Sequence, residues 1–343
     1  MKNKLRLLAV VLTVAMLLVL LSACGSTSSD TASGNGEYQT IRLVMAVNGS
    51  DTQIDSKVAN KMKEIVEEES GGSITIDVFP NDQLAGGNAS KGIEMIAQGS
   101  CDLAAYATST LAVIDDKLNV CTIPWSFDDY EQVADVIDKS GYKYYTERLG
   151  KKGITYLASF HNGFRQLTNS KRAVKTPEDM KNLKIRVPGS EIYMGFFRTL
   201  GADPTSMSFS EVYTAIQQGT IDGQENGVSI TYANKMAEVQ DYLTMWNYSY
   251  DTDLVIANTT LWESLEPKTQ ELLSKASKEA SDWGRKQVED EQETILKEFK
   301  EGGMTITYLT DEELDAFKEV IADWRQGIID QYGKDACSYF KIK

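Results

Sequence analysis

The chain has 343 residues, 42% hydrophobic and 25% charged, with a net charge of −15 at pH 7. A balance this acidic, with no block rich in Lys or Arg, excludes nucleic acid and anionic lipid as electrostatic partners, so an anionic ligand has to be held by a local cationic device. The single histidine, His161, excludes zinc sites built from two or three imidazoles.

Lys2, Lys4 and Arg6 precede an apolar run over residues 7–21. That run is short for a membrane span, which needs about 20 apolar residues, and reads as a signal peptide covering 1–23. It ends in Leu21-Ser22-Ala23-Cys24, similar to the lipobox of bacterial lipoproteins, which makes Cys24 the lipidated first residue. An ordinary secretory peptide cut near Ala23 and an uncleaved anchor are the alternatives. The Gly/Ser/Thr-rich stretch after Cys24 is a flexible tether, 24–38, with too little apolar side chain to fold. Losing the three basic residues takes the net charge from −15 to −18. What remains exceeds the usual size of one core, and two lobes are expected.

IRLVMAV, from Ile41, is an alternating strand, followed by the polar turn NGSDTQ and an amphipathic helix closed by Gly71-Gly72, the opening unit of an α/β domain. ITIDVFP is the next strand. NASKGIEMIAQGS is a helix with Asn88 or Ser90 as cap and Gly99 as stop, and CDLAAYAT is a buried strand. A helix from Tyr130 leads to the strand ITYLASF, then to a loop, HNGFRQLTNSKR. Thr176 and Asp179 have the spacing of a capping box, with Pro177 at the first helical position. LKIRVP is a strand, EIYMGFFRTLG and FSEVYTAIQQG are helices, and TIDGQEN is a short strand. From Pro267 a helical pattern of over 30 residues, interrupted at Gly284 where a kink is expected, is long enough to run along two lobes. Cys101, Cys121 and Cys337 have neither metal-site spacing nor the even count of a full disulfide framework. Each fits a small buried side chain, and a Cys101–Cys121 bridge stays open.

Arg186 lies on the strand face opposite Ile185 and Val187, either on the surface or in a cleft. A solvated surface charge is the commoner role for an arginine, and the position at the carboxyl end of an α/β strand, where ligands collect, weighs against it. A guanidinium matches a carboxylate with two parallel hydrogen bonds, which a lysine cannot reproduce. Arg165, in the loop after a strand, is a second candidate, and Asn226 could offer both a donor and an acceptor. GxSxG, HExxH, GxxxxGK[ST] and GxGxxG are all missing from the sequence, and nothing singles out a catalytic carboxylate pair. The chain therefore reads as a non-enzyme without cofactors.

The segment TPEDMKNLKIRVPGSEIYMGFFRTLGADPTSMSFSEVYTAIQQGTIDGQENG, with VFPNDQLAGG, IAQGSCDLA and IPWSFDD before it, resembles the solute-binding proteins of tripartite ATP-independent periplasmic (TRAP) transporters, the DctP family. The resemblance implies a two-lobed periplasmic-binding-protein-like α/β fold, with mixed sheets, hinge strands and a long C-terminal helix spanning both lobes. Lobe I is expected at 39–162 plus 251–291 and lobe II at 163–250 plus 292–343. The ligand carboxylate is expected on Arg186, with Arg165, Asn226 and Phe209 beside it, and Asn48, Asp51 and Thr108 contributing from the first lobe. The resemblance further implies a TRAP permease as partner and an extracytoplasmic place, lipid-anchored through Cys24. Gly227 stands where the family often has proline. The ligand is expected to be an organic acid; polar groups in the first loop and around Tyr248-Ser249-Tyr250-Asp251 favour a sugar acid such as a uronate. A C4-dicarboxylate or keto acid is the alternative, as is a role as ligand sensor for a membrane receptor.

Overall fold

The computed structural model describes residues 37–343; the leader, Cys24 and most of the tether fall outside the described residues. Strand β1 (Ile41–Val47) pairs in parallel with β2 (Ile74–Phe79) and β3 (Leu103–Ala107). Its alternation divides two cores. Leu43, Met45 and Val47 pack with Val58, Met62 and Val66 of helix α1 (Ile54–Glu69), whereas Ala46 turns toward Ile93 and Ile96 of α2 (Ala89–Gln98). Helix α2 begins where Asn88 Oδ1 accepts the Lys91 N–H at 3.0 Å and ends at Gly99, whose left-handed φ of 77° favours a residue without a Cβ. The helical run after Tyr130 is α3 (Tyr130–Val136) and α4 (Tyr142–Gly150), joined by a π-turn.

One expectation fails here. The segment from His161, read as a loop, continues the preceding strand, so β4 spans Ile154–Asn169. Local pattern hides this because HNGFRQLTN is polar on both faces. The strand persists because β7 (Gly223–Gly227) and β8 (Tyr242–Asn258) pair antiparallel with it on its two sides and satisfy its backbone groups.

Between β4 and β7 in sequence lie β5 (Lys184–Val187), helix α5 (Glu191–Thr199), β6 (Asp203–Ser206) and α6 (Val212–Gln217). The capping box predicted for Thr176 and Asp179 is formed just ahead of β5. Helix α7 (Val228–Ala233) follows β7. The strand order is β2-β1-β3-β8-β4-β7-β5-β6, with β9 (Thr305–Tyr308) parallel to β8. Two α/β lobes with mixed pairing result, and β4 and β8 are the hinge strands common to both. Their register shifts at Tyr156/Ala158, His161/Gly163 and Arg165/Leu167. At the last shift Gln166 fills the gap in the ladder: its Oε1 accepts the N–H groups of Trp246 and Asn247 at 2.9 and 3.0 Å.

Helix α8 (Pro267–Glu301) runs 35 residues without interruption, against α1 and β4 in one lobe and α7 in the other. Gly284 serves close packing: a Cβ there would lie 2.4 Å from Val58 Cγ2 of α1. Helix α9 (Asp311–Tyr332) covers α5, with Phe317 and Ile321 joining Phe196 and Trp246 in the larger core. Cys101, Cys121 and Cys337 are free thiols, all buried.

Candidate functional site in the interlobe cleft

Strand β5 ends at Pro188-Gly189, and its Arg186 is 4% exposed, directed into the space between the lobes. Arg186 Nε and Nη2 both donate to the Met207 carbonyl, at 3.0 and 2.8 Å, and the guanidinium lies over the Phe209 ring, 5.2 Å from its centroid. Among the described residues no carboxylate comes within ion-pair distance of it. Burial pushes its pKa down to about 9, with Glu225 opposing the shift and Arg165 adding to it.

Arg165 lies within hinge strand β4, not in a loop, and is already partnered. Its Nε and Nη2 donate to the two carboxylate oxygens of Glu225, Nη2 also reaches the Glu225 carbonyl at 3.0 Å, and Nη1 donates to Asn162 Oδ1 at 2.8 Å. Asp251 Oδ2 stands 3.4 Å from Nη1, and the Tyr248 hydroxyl donates to Glu225 at 2.7 Å. Burial acts most strongly, to lower the Arg165 pKa, but the charge and hydrogen bonds of Glu225 together with the charges of Tyr193 and Asp251 outweigh it and hold the group well above its ordinary value.

Two spaces share Arg186, Phe209, Asn48, Thr110 and Pro188 in their lining. The outer has a volume of about 210 Å³ and is closed by Ser206, Met207, Ser208 and the start of α2. The inner, about 30 Å³, is lined further by Gln53, Asp55, Asn162, Arg165, Asn226 and Asp253. The lobes touch above them: Ser50 Oγ donates to Asn234 Oδ1 at 3.4 Å, Thr52 Oγ1 to the Ala233 carbonyl at 3.2 Å and Ser210 Oγ to the Gly87 carbonyl at 3.4 Å.

Of the residues singled out in the sequence, Arg186, Arg165, Asn226, Phe209 and Asn48 come together around these spaces. Thr108 sits beneath them, its hydroxyl donating to Asp251 at 2.7 Å, and Asp51 is exposed outside. The polar run at 248–251 is engaged within the protein, with Tyr248 on Glu225, Ser249 on the Thr122 carbonyl and Asp251 between Thr108 and Arg165.

Gln53, Asp55, Asn162, Glu225 and Asp253 escaped the sequence reading. Asp55 looks like any acid in a first helical turn, and only tertiary structure brings it near Asp253. Asp55 accepts the N–H groups of Gly49 and Ser56 at 2.7 and 2.9 Å. Burial nevertheless raises its pKa to about 7, with the Asp82 charge adding to the shift. Asp253 is held well above the carboxylate range by burial first, then by the charges of Asp55 and Asp251. Among the described residues no group of three or more His, Cys, Asp or Glu side chains could hold a metal ion.

The sequence profile of the bacterial extracellular solute-binding proteins of family 7, DctP, matches residues 45–330. The chain belongs to the DctP family. It is 31% identical to the 2,3-diketo-L-gulonate-binding periplasmic protein of Escherichia coli over 79% of this chain and 82% of that protein. It is 33% identical to the C4-dicarboxylate-binding protein of Bacillus subtilis over 74% of this chain and 73% of that one. A TRAP periplasmic solute-binding protein from Ralstonia eutropha, solved with bound (S)-2-acetolactate, superposes with a TM-score of 0.84 at 29% identity, covering 87% of this chain and 97% of that structure. This DctP chain thus has the fold and the extracytoplasmic place of a TRAP solute-binding protein.

Proposed function

We propose that this chain captures a small organic acid outside the cytoplasm and hands it to a TRAP permease, with the ligand carboxylate on Arg186. The observation that carries the reading is the buried guanidinium of Arg186, which lacks a carboxylate partner in a cleft where the neighbouring Arg165 has one. A bound carboxylate supplies that partner and receives the donor fork in its own plane. Because ligand contacts come from both lobes, binding favours the closed arrangement. The proposed lobes, 39–162 with 251–291 and 163–250 with 292–343, fit a hinge within β4 and β8. Attachment through a lipidated Cys24 belongs to the same proposal.

The acid is read as a keto or hydroxy acid. The diketogulonate-binding and acetolactate-bound relatives support this. A uronate is a narrower choice than the relatives support, and the residues 248–251 that pointed to it are already engaged with protein. A C4-dicarboxylate is the second reading, favoured by the Bacillus subtilis relative. A thermal-shift screen of organic acids tests the function: a ligand at 100 times its Kd stabilises by about 2.7 kcal/mol. Absence of a shift from every carboxylate, or equal shifts for wild type and Arg186→Lys, would reject the proposed role.

A further inference from the structure

Asp82 is a buried carboxylate held by neutral groups. It is 4% exposed, and among the described residues no cation forms an ion pair with it. The Tyr106 hydroxyl donates to its Oδ1 at 2.6 Å and Asn48 Nδ2 to its Oδ2 at 2.7 Å. Burial raises its pKa, and these two hydrogen bonds act against the rise. The arrangement depends on Gly92, where a Cβ would lie 2.1 Å from the Tyr106 hydroxyl and 3.2 Å from Asp82 Oδ1. Burying a carboxylate without a cation is costly, and what it fixes here is the amide of Asn48.

Asn48 follows β1 in the first lobe and lines both interlobe spaces, as Arg186 does from the second. A carboxylate only accepts hydrogen bonds, so Asp82 keeps the amide nitrogen of Asn48 on its own side. Among the described residues no donor reaches Asn48 Oδ1, which is left as an acceptor with one remaining N–H beside it. A ligand hydroxyl can donate to that oxygen and still accept from the N–H. A ketone oxygen or a carboxylate has no proton to give and leaves Oδ1 desolvated without a partner. Because Arg186 faces the same spaces, the carboxylate and the hydroxyl fall on one molecule.

We propose that Asp82 is a positioning residue that locks the Asn48 amide with its carbonyl oxygen toward the cleft, and that Asn48 Oδ1 thereby selects an acid bearing a hydroxyl over one without. The inference rests on the carrier reading above and narrows its ligand to the hydroxy acids. A site built to pair a ligand hydroxyl rejects the analogue that lacks it, because the site's own polar atom is then left unpaired.

Calorimetric titration of the folded protein with lactate, erythronate and galactonate, and with the hydroxyl-free pyruvate, 2-oxobutyrate and succinate, tests it. The best hydroxy acid is expected to bind about tenfold or more tighter than every hydroxyl-free acid. In Asp82→Asn the Tyr106 hydroxyl still has a carbonyl oxygen to donate to, so the new amide donates toward Asn48 and turns the Asn48 amide round. That preference is then expected to fall about tenfold, whereas Tyr106→Phe, which leaves the Asn48 amide fixed, keeps it. Asn48→Ala removes the acceptor itself and is expected to lose the preference without any change at Asp82. An Asp82 that only supports the fold would weaken all the acids together, so an unchanged ratio in Asp82→Asn would overturn its positioning role. Full preference in Asn48→Ala would overturn the selection by Oδ1. A hydroxyl-free acid binding as tightly as the best hydroxy acid, with Arg186→Lys still abolishing it, would overturn the inference and leave the carrier reading standing. Failure of all six acids to bind would overturn the inference, and the carrier reading would fall only if the wider screen were also silent.

Discussion

Arg165 offers its Nε–Nη2 edge to both carboxylate oxygens of Glu225, and this closed pair leaves Arg186, two strands over beyond β7, as the guanidinium without a carboxylate among the described residues. Both arginines are buried, but only one is neutralised from within the protein. Arg165 thereby links β4 to β7 while still lining the cleft, and Arg186 on β5 has no carboxylate partner among the described residues.

Removing the Glu225 charge leaves Arg165 buried with only the longer 3.4 Å approach to Asp251. Breaking one side of a buried pair typically costs about 3 to 5 kcal/mol. Glu225→Gln keeps the shape and is expected to lose about 3 kcal/mol in urea unfolding, with some of the Tyr248 hydrogen bond retained. An unchanged unfolding midpoint would show that Asp251 alone compensates Arg165.

The opposite outcome is expected at Arg186. Its charge is desolvated with only the Met207 carbonyl and the Phe209 ring for company. Arg186→Met removes the charge at the expense of two hydrogen bonds, and the ligand-free protein is expected to be more stable by about 1 kcal/mol. Ligand binding should vanish in the same variant. A ligand-free protein markedly less stable than wild type would mean that the arginine is needed for folding rather than for binding.

Much of this arrangement was legible in the sequence where a signal is local. The alternation in IRLVMAV, the Asn88 cap, the Thr176–Asp179 box and the helix stop at Gly99 each depend on neighbouring residues, and the structure keeps all of them. The second half of β4 was not legible, because its strand character comes from β7 and β8, distant in sequence. For the same reason Arg165 and Arg186 looked alike: nothing near Arg165 in the chain announces that Glu225 will meet it. Gln53, Asp55 and Asp253 could be joined only once β1, α1 and β8 were in place.

Gly284 separates two effects of opposite sign. In an isolated helix, replacing glycine by alanine gains about 1 kcal/mol. Here the added methyl would stand 2.4 Å from Val58 Cγ2 and force α8 away from α1, and such overpacking costs about 1 to 3 kcal/mol. Gly284→Ala is therefore expected to destabilise, and Val58→Ala in the same chain to recover part of the loss. Additive effects of the two substitutions would contradict the close approach.

Asp55 makes stability depend on pH with a defined sign. Its folded pKa, about 7, lies above the ordinary 3.8. Between those values the unfolded chain has released this proton and the folded chain keeps it, so stability present in acid is lost as pH rises toward 7, by at most about 1.4 kcal/mol per pH unit. Asp253, raised for the same reason, acts in the same direction. Asp135, Asp179, Glu147 and Glu289, all lowered, act the other way but below the ordinary carboxylate range. Buried His161 is lowered by burial and opposes Asp55 up to about pH 6.5, the unperturbed imidazole value. Comparing wild type with Asp55→Asn cancels the contributions of groups that do not interact with Asp55, and Asp253, whose carboxyl the Asp55 charge helps to raise, relaxes partly toward its ordinary range in the variant. The stability of the variant relative to wild type should rise between pH 4.5 and 7.5, by up to about 3 kcal/mol. Chemical denaturation at four or five pH values measures this directly, and a difference that stays constant across the range would mean that Asp55 is ionised in the folded protein throughout.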